Sequence, residues 1–211
     1  MPEVVLVHGL WHRAWSLVLL RRHLEAEGFR VRCFSYPTWN RKPFESTTEL
    51  ADFCRRTSSS QLHLAGHSLG GLLILKMLEQ QDQDRQQIPP GQVVLLGSPV
   101  SGSQVAKRIA TTVPGRLFLR HAESSLINGV DAIPPQQKCG MIAGNLPQGL
   151  GRLTGRIDGP NDGTVAVSET VSDQLDDHIQ LAVSHTGLLI SSQVTRQLAF
   201  FVREGCFDHS N

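Results

Sequence analysis

Gln61-Leu62-His63-Leu64-Ala65-Gly66-His67-Ser68-Leu69-Gly70-Gly71-Leu72-Leu73-Ile74-Leu75 is the stretch on which the reading of this chain turns. Gln61 to Ala65 reads as a strand. Leu69 to Leu78 reads as a helix that is apolar almost all round, and hence buried. Between them stands G-x-S-x-G, with Ser68 at its centre. A serine that joins a buried strand directly to a buried helix sits on a very sharp turn, often with strained backbone angles. Residues two before and two after it approach neighbouring backbone so closely that a side chain would clash, which accounts for glycine at 66 and 70. The turn holds the Ser68 hydroxyl above the carboxyl ends of the strands, where ligands bind in open α/β sheets. The helix N-terminus beneath it favours developing negative charge. At the average glycine usage of proteins, about 7%, the bare letters arise by accident in roughly one such chain in ten or fewer. The strand-to-helix context lowers that further, so Ser68 is the candidate nucleophile.

Working outward, strand-like runs alternate with helical patterns. Val4-Val5-Leu6-Val7 is a continuous apolar run, as expected for a strand buried on both faces, and it stops at His8-Gly9. Arg13 to Glu27 reads as a helix, with Trp15, Val18, Leu19 and Leu24 near helical spacing and Gly28 as its stop. Arg30 to Ser35 alternates like a strand, and Tyr36 to Phe44, with Pro37 and Pro43, reads as a loop. Ser46-Thr47-Thr48-Glu49 is a capping-box pattern ahead of a helix over Leu50 to Arg56. Gln81 to Gln87 is a polar turn or helix end, Gln92 to Leu96 a buried strand, and Gln104 to Thr111 a helix. From Pro114 to Gln137 the pattern is weak. Lys138 to Ala143 and His178 to Val183 read as strands around a glycine-rich loop. Leu188 to Glu204 reads as the last helix, with Ile190, Val194, Leu198 and Phe201 on one face and Gly205 ending it.

This alternation implies an α/β fold: a mostly parallel, doubly wound sheet of about six strands with helices on both faces. The 211 residues are expected to form one domain, residues 1–211, with 101–137 either a small cap or plain connections. A chain of this length buries enough core to fold without staples. Net charge is +1 with no basic stripe, so nucleic acid is not an expected partner. No apolar run reaches membrane-spanning length, and no leader pattern opens the chain. Cys33, Cys54, Cys139 and Cys206 are widely spaced without metal-ligand spacing and read as reduced thiols. A cytoplasmic location is the expectation. No metal or cofactor is expected.

The chain resembles the α/β-hydrolase superfamily, especially its small esterases and lipases. Gly66–Gly71 (GHSLGG) is a common form of that group's elbow, and Val5-Leu6-Val7-His8-Gly9-Leu10 looks like its His-Gly segment after an early strand. Asn161-Asp162-Gly163-Thr164-Val165 looks like its acid loop, and Ser184-His185-Thr186-Gly187-Leu188-Leu189 like its histidine loop. The stretch from His185 to Gly205 is similar to the end of the minimal bacterial lipases with six strands. The resemblance is weakest from Ser101 to Gln137.

A serine hydroxyl needs a base, and the resemblance assigns that role to His185, between the last strand and the last helix. His12, His23, His121, His178 and His209 read as surface or capping residues, and His63 as a sheet residue. The histidine in turn needs a carboxylate to fix its tautomer. The order Ser68, Asp162, His185 is that of the superfamily. Asp158, beside Gly159, is a rival acid, whereas Asp176-Asp177 stands just before the final strand, at the wrong end of the sheet. The oxyanion hole is expected from the backbone N–H groups of Leu69 and of Leu10, or less directly Trp11, with His8 ordering that loop. Trp11, Trp15 and Trp39, with Leu10 and Phe44, are candidates to line an apolar acyl pocket, or equally to be ordinary packing. Leu188 and Leu189 beside His185 also suit an apolar acyl or alcohol site.

The activity this implies is hydrolysis of a carboxylic ester through an acyl-enzyme, on a small-molecule or lipid ester. An acyl thioesterase would use the same residues. A non-catalytic binding protein on this fold would usually lack a member of the triad.

Overall fold

The computed structural model describes residues 1–38, 41–81, 88–134, 136–148 and 157–210. Six strands form one sheet: β1 Glu3–Val7, β2 Arg30–Phe34, β3 Leu62–His67, β4 Val93–Leu96, β5 Cys139–Gly144 and β6 Asp177–Leu181. Their order is β2-β1-β3-β4-β5-β6, and every neighbouring pair is parallel. Parallel neighbours need crossovers, which puts helices on both faces.

Alternation along each strand divides the core in two. Val5, Val7, Leu64, Val93, Leu95 and Met141 pack with α2 (Thr47–Arg55) and α3 (Leu69–Gln81) on one face. Val4, Leu6, Ala65, Val94, Leu96 and Ile142 pack with α1 (Val18–Ala26) on the other face. That second face is also covered by the C-terminal helix over residues 192–204, through Val194, Leu198 and Phe201. The short apolar runs of the sequence are thus strands covered on both sides, as their composition implies.

Residues 101–137, with the weakest sequence pattern, hold α4 Gln104–Ile109, α5 Val113–Leu119 and α6 Glu123–Asn128. Ala106, Ala110, Leu119, Ala122 and Leu126 of this segment belong to the same buried cluster as α3 and the strands. Val113, Leu117 and Phe118 on α5 are exposed to solvent. Pro114 and Gly115 inside a helix of seven residues, together with this outward apolar surface, hide its periodicity in the sequence.

Several element limits differ from those expected. The helix expected over 13–27 is split into a 3-10 turn, Ala14–Leu17, and α1. The tighter 3-10 pitch rotates the buried stripe onto Leu17, Leu20 and Leu24, and leaves Trp15, Val18 and Leu19 exposed. The expected capping box at Ser46 is not formed. A 3-10 turn, Pro43–Ser46, runs directly into α2, so Ser46 is not in the extended conformation an N-cap needs. The last helix also starts late. A 3-10 turn, Gly187–Leu189, precedes α7 Ser192–Glu204, whose N-cap Ser191 accepts a bond from Gln193 N–H, and Ile190 falls outside the buried stripe. The polar segment expected over 81–87 lies almost wholly outside the described residues.

All four cysteines are unpaired. Among the described residues, no helix is long and apolar enough to cross a membrane.

Candidate active site

The turn between β3 and α3 has the geometry its glycines require. Ser68 has φ 53°, a left-handed conformation rare for a residue with a side chain. Its N–H donates to Leu96 C=O (2.9 Å), and its own C=O accepts from Gly71 N–H (3.0 Å), so the strained residue is held from both sides. A Cβ at Gly66 would lie 2.5 Å from the backbone of Gly71, and one at Gly70 would lie 2.5 Å from the carbonyl oxygens of Val7 and His8. The elbow is therefore wedged between the end of β1 and the first turn of α3.

Asp162 and His185 lie after β5 and β6, at the same carboxyl edge. Asp162 Oδ2 accepts from His185 Nδ1 at 2.6 Å. Asp162 Oδ1 accepts from the N–H groups of Thr164 (2.9 Å) and Val165 (2.7 Å). The main chains are joined as well, His185 N–H donating to Asp162 C=O at 2.9 Å. Asp162 is 1% exposed and His185 9%. With a carboxylate as acceptor, Nδ1 carries the ring proton and Nε2 keeps a lone pair. Of the rival acids, Asp158 is exposed. Asp176 accepts from the N–H of Cys139, the first residue of β5, and Asp177 binds Phe207 N–H and His209, so both secure the opposite end of the sheet.

Gly97 forms the floor of this pair, a residue that the sequence reading passed over. Its φ is +57°, and a Cβ there would sit 2.7 Å from Leu188 Cδ1, 3.1 Å from Asp162 Oδ2 and 3.3 Å from His185 Nδ1. The available signal was a single glycine directly after the buried run Val93–Leu96.

The His8-Gly9 loop arches over the elbow: a Cβ at Gly9 would lie 3.1 Å from Ser68 Cβ. His8 is fully buried. Its Nδ1 donates to Gly9 C=O (3.0 Å), its Nε2 faces Ser35 Oγ and accepts from Tyr36 N–H (both 3.3 Å), and its ring stacks on Tyr36 at 4.7 Å. Tyr36 O–H donates back to His8 C=O at 3.1 Å. Burial lowers the His8 pKa from 6.5 to about 4. His8 is thus a neutral brace for the loop. Trp11, at φ 61°, spends its N–H on Thr38 Oγ1 (3.3 Å).

The apolar candidates are dispersed. Trp11 is partly exposed and its ring meets Phe118 of α5 at 5.3 Å. Trp15 is 72% exposed, on the 3-10 turn. Phe44 packs against the α2–α3 side of the core. Leu188 and Leu189 are buried, Leu188 under the Asp162–His185 pair. Trp39 lies outside the described residues. Among the described residues, no group of three or more His, Cys, Asp or Glu side chains is arranged to hold a metal ion.

A parallel six-stranded sheet with a strained serine elbow, an acid after β5 and a histidine after β6 defines the α/β-hydrolase class. The sequence profile of the alpha/beta hydrolase family matches residues 4–186, and the chain belongs to that family. No curated protein matches it in sequence. Among solved structures it is similar to the Bacillus licheniformis lipase BlEst2 in its propeptide form (TM-score 0.72, 18% identity), covering 94% of this chain and 50% of that one. The chain therefore spans half the length of that lipase. It is also similar to the pyrethroid hydrolase PytH (TM-score 0.66, 14% identity, 97% and 98% covered) and to the NocB thioesterase domain from the nocardicin cluster (TM-score 0.58, 17% identity, 93% and 91% covered). At these identities the likeness is one of fold.

Proposed function

We propose that the protein is a serine hydrolase that cleaves carboxylic esters through an acyl-enzyme on Ser68. The observation that carries this reading is the buried Nδ1–Oδ2 bond of 2.6 Å between His185 and Asp162, at the same sheet edge as the strained serine. Ser68 Oγ attacks the acyl carbonyl and its proton passes to His185 Nε2. Asp162 stabilises the resulting imidazolium. The N–H groups of Leu69 and Leu10 receive the oxyanion, Leu10 being favoured over Trp11 because Thr38 already occupies the Trp11 N–H. His185 returns the proton to the leaving alcohol, then activates the water that releases the acid.

The apolar surface that Trp11 and Phe118 present beside the oxyanion loop favours short to medium apolar acyl groups. The four unpaired thiols support a reducing, cytoplasmic setting, which thiol titration of the unfolded, unreduced protein checks by finding four free groups.

The test is a panel of chromogenic acyl esters and acyl thioesters of graded chain length, run beside labelling with a fluorophosphonate. Wild type is expected to label once, at Ser68, and to hydrolyse apolar esters. Ser68→Ala is expected to fold normally, to escape labelling and to lose roughly 10⁴-fold or more in rate. Faster turnover of thioesters than of matched esters moves the assignment to a thioesterase. Wild-type hydrolysis by Ser68→Ala ends it.

A further inference from the structure

His67, the residue before the nucleophile, stands outside the triad, yet its side chain reaches the base. It is 2% exposed, and its Nε2 lies 3.0 Å from the main-chain oxygen of His185. A carbonyl only accepts, so Nε2 carries the proton and Nδ1 holds a lone pair. That Nδ1 is buried and has no hydrogen-bond partner. The His67 ring also lies against the His185 ring, with centroids 4.6 Å apart, and stacks on His12 at 5.5 Å.

Two facts make this more than packing. An aromatic or aliphatic side chain would fill the same space without leaving a buried nitrogen unsatisfied, so the imidazole has to be explained by what Nε2–H does. What it does is complete a closed set of links. The His185 N–H is taken by Asp162 C=O at 2.9 Å, and the His185 C=O is taken by His67. Both peptide groups flanking the base are therefore fixed, one by the acid and the other by the residue covalently joined to Ser68. No other link described at the site ties the elbow directly to the histidine loop.

We infer that His67 is a positioning residue for the reaction: its Nε2–H, donated to the His185 carbonyl, sets the distance and orientation between nucleophile and base. The inference rests on the assignment of Ser68 and His185 as nucleophile and base. Burial, His185 and His12 all disfavour a second proton on the ring, so the donor stays in one neutral tautomer while the base cycles through its charged form. A base loop free to drift by about an ångström would lose up to about 100-fold in rate.

The experiment compares His67→Phe, which keeps a ring and removes the donor, with His67→Gln, which gives up the ring and keeps an N–H of similar reach. Rates are normalised to the fraction of protein that a fluorophosphonate labels. His67→Phe is expected to lower kcat about 10- to 100-fold with KM within about twofold of wild type, while its melting temperature stays level or rises. His67→Gln is expected to recover kcat to within a few-fold of wild type despite its poorer fit. A merely structural side chain predicts the reverse order, and a fully active His67→Phe, or a His67→Gln as slow as His67→Phe, overturns the inference. Nitrogen-15 spectra of the wild-type imidazoles give a reading that needs no variant to fold. His67 is expected to show an Nε2–H tautomer that does not titrate between pH 5 and 8, and an Nδ1–H tautomer overturns the inference. Absence of ester hydrolysis and of labelling in the wild type would instead defeat the proposed function, and the spectra separate the two failures.

Discussion

The two sides of the site are built from opposite materials. The acid–base side is buried and held many times over: Asp162 takes Thr164, Val165 and His185 on its two carboxylate oxygens, and its main chain takes His185 again. The side to which the proposed reading assigns the oxyanion has a buried brace, His8 on Tyr36, but its outer rim is apolar and exposed, with Trp11 against Phe118. The difference separates two demands. Moving a proton requires groups fixed to fractions of an ångström in a dry setting. Accepting an apolar acyl group requires only accessible apolar surface. Changes on the first side are thus expected to act on kcat, and changes on the rim on KM.

The largest effect that breaks this contrast is Asp162→Asn. The amide leaves the loop's shape nearly intact but favours the wrong tautomer of His185, and kcat is expected to fall by up to about 10⁴-fold with little change in melting temperature. Asp158→Asn, on the exposed part of the same loop, is expected to be near wild type, and the opposite pair of results would transfer the acid role to Asp158.

Next comes Gly97→Ala. The new methyl would press on Leu188 and on both members of the acid–base pair, at a left-handed φ. A fall of about 10- to 100-fold in kcat is expected, with a lower melting temperature. Wild-type kcat in this variant would show that the pair tolerates a raised floor.

The third prediction sharpens the contrast through stability. His8 is held neutral in the folded protein, its pKa lowered by burial from 6.5 to about 4. The unfolded chain therefore takes up this proton first, and stability rises with pH across that window. The contribution is complete above about pH 6.5 and is lost as pH falls towards 4, amounting to roughly 3 kcal/mol at most. His67 and His12 are lowered by burial as well and act in the same sense. Melting temperature followed from pH 7 to 4 is expected to drop, and His8→Asn is expected to flatten the drop.

The smallest effect is expected at the rim. Phe118→Ala removes the partner of Trp11 and should raise KM a few-fold for medium-chain esters while leaving kcat unchanged. Kinetics on esters of two chain lengths decide it, and a loss confined to kcat would place Phe118 in the proton-moving half.

The same contrast governs what was legible in the sequence. The elbow was legible because Gly66 and Gly70 answer a local steric demand against neighbouring backbone, whereas the acid and histidine loops were marked by their likeness to those of the family. β1, β3, β4 and β5 were legible as short, largely apolar runs, and the edge strand β2 as an alternation of polar and apolar residues. The rim was not: α5 is short, carries Pro114 and Gly115, and turns Val113, Leu117 and Phe118 outward, so neither period nor composition marks it. Trp15 misleads because a 3-10 turn rotates it into solvent, and Leu188 because closeness to His185 in the chain does not make it reachable by a ligand. Gly97 and His67 act through tertiary contacts with residues far along the chain, and no local pattern reports those.

The strand order has a consequence in time. Ser68 is made early and sits on the central strands, whereas Asp162 and His185 follow β5 and β6, which are added at one edge of the sheet. The loop bearing His185 is closed down by α7, which lies later still and buries Val194, Leu198 and Phe201 against the second core face. Domains generally fold as units, and the elbow strand shares its core with α7, so the elbow is completed together with the late segments. Under the proposed reading, a chain cut before β6 keeps Ser68 and loses its base, so turnover depends on the last strand to be made.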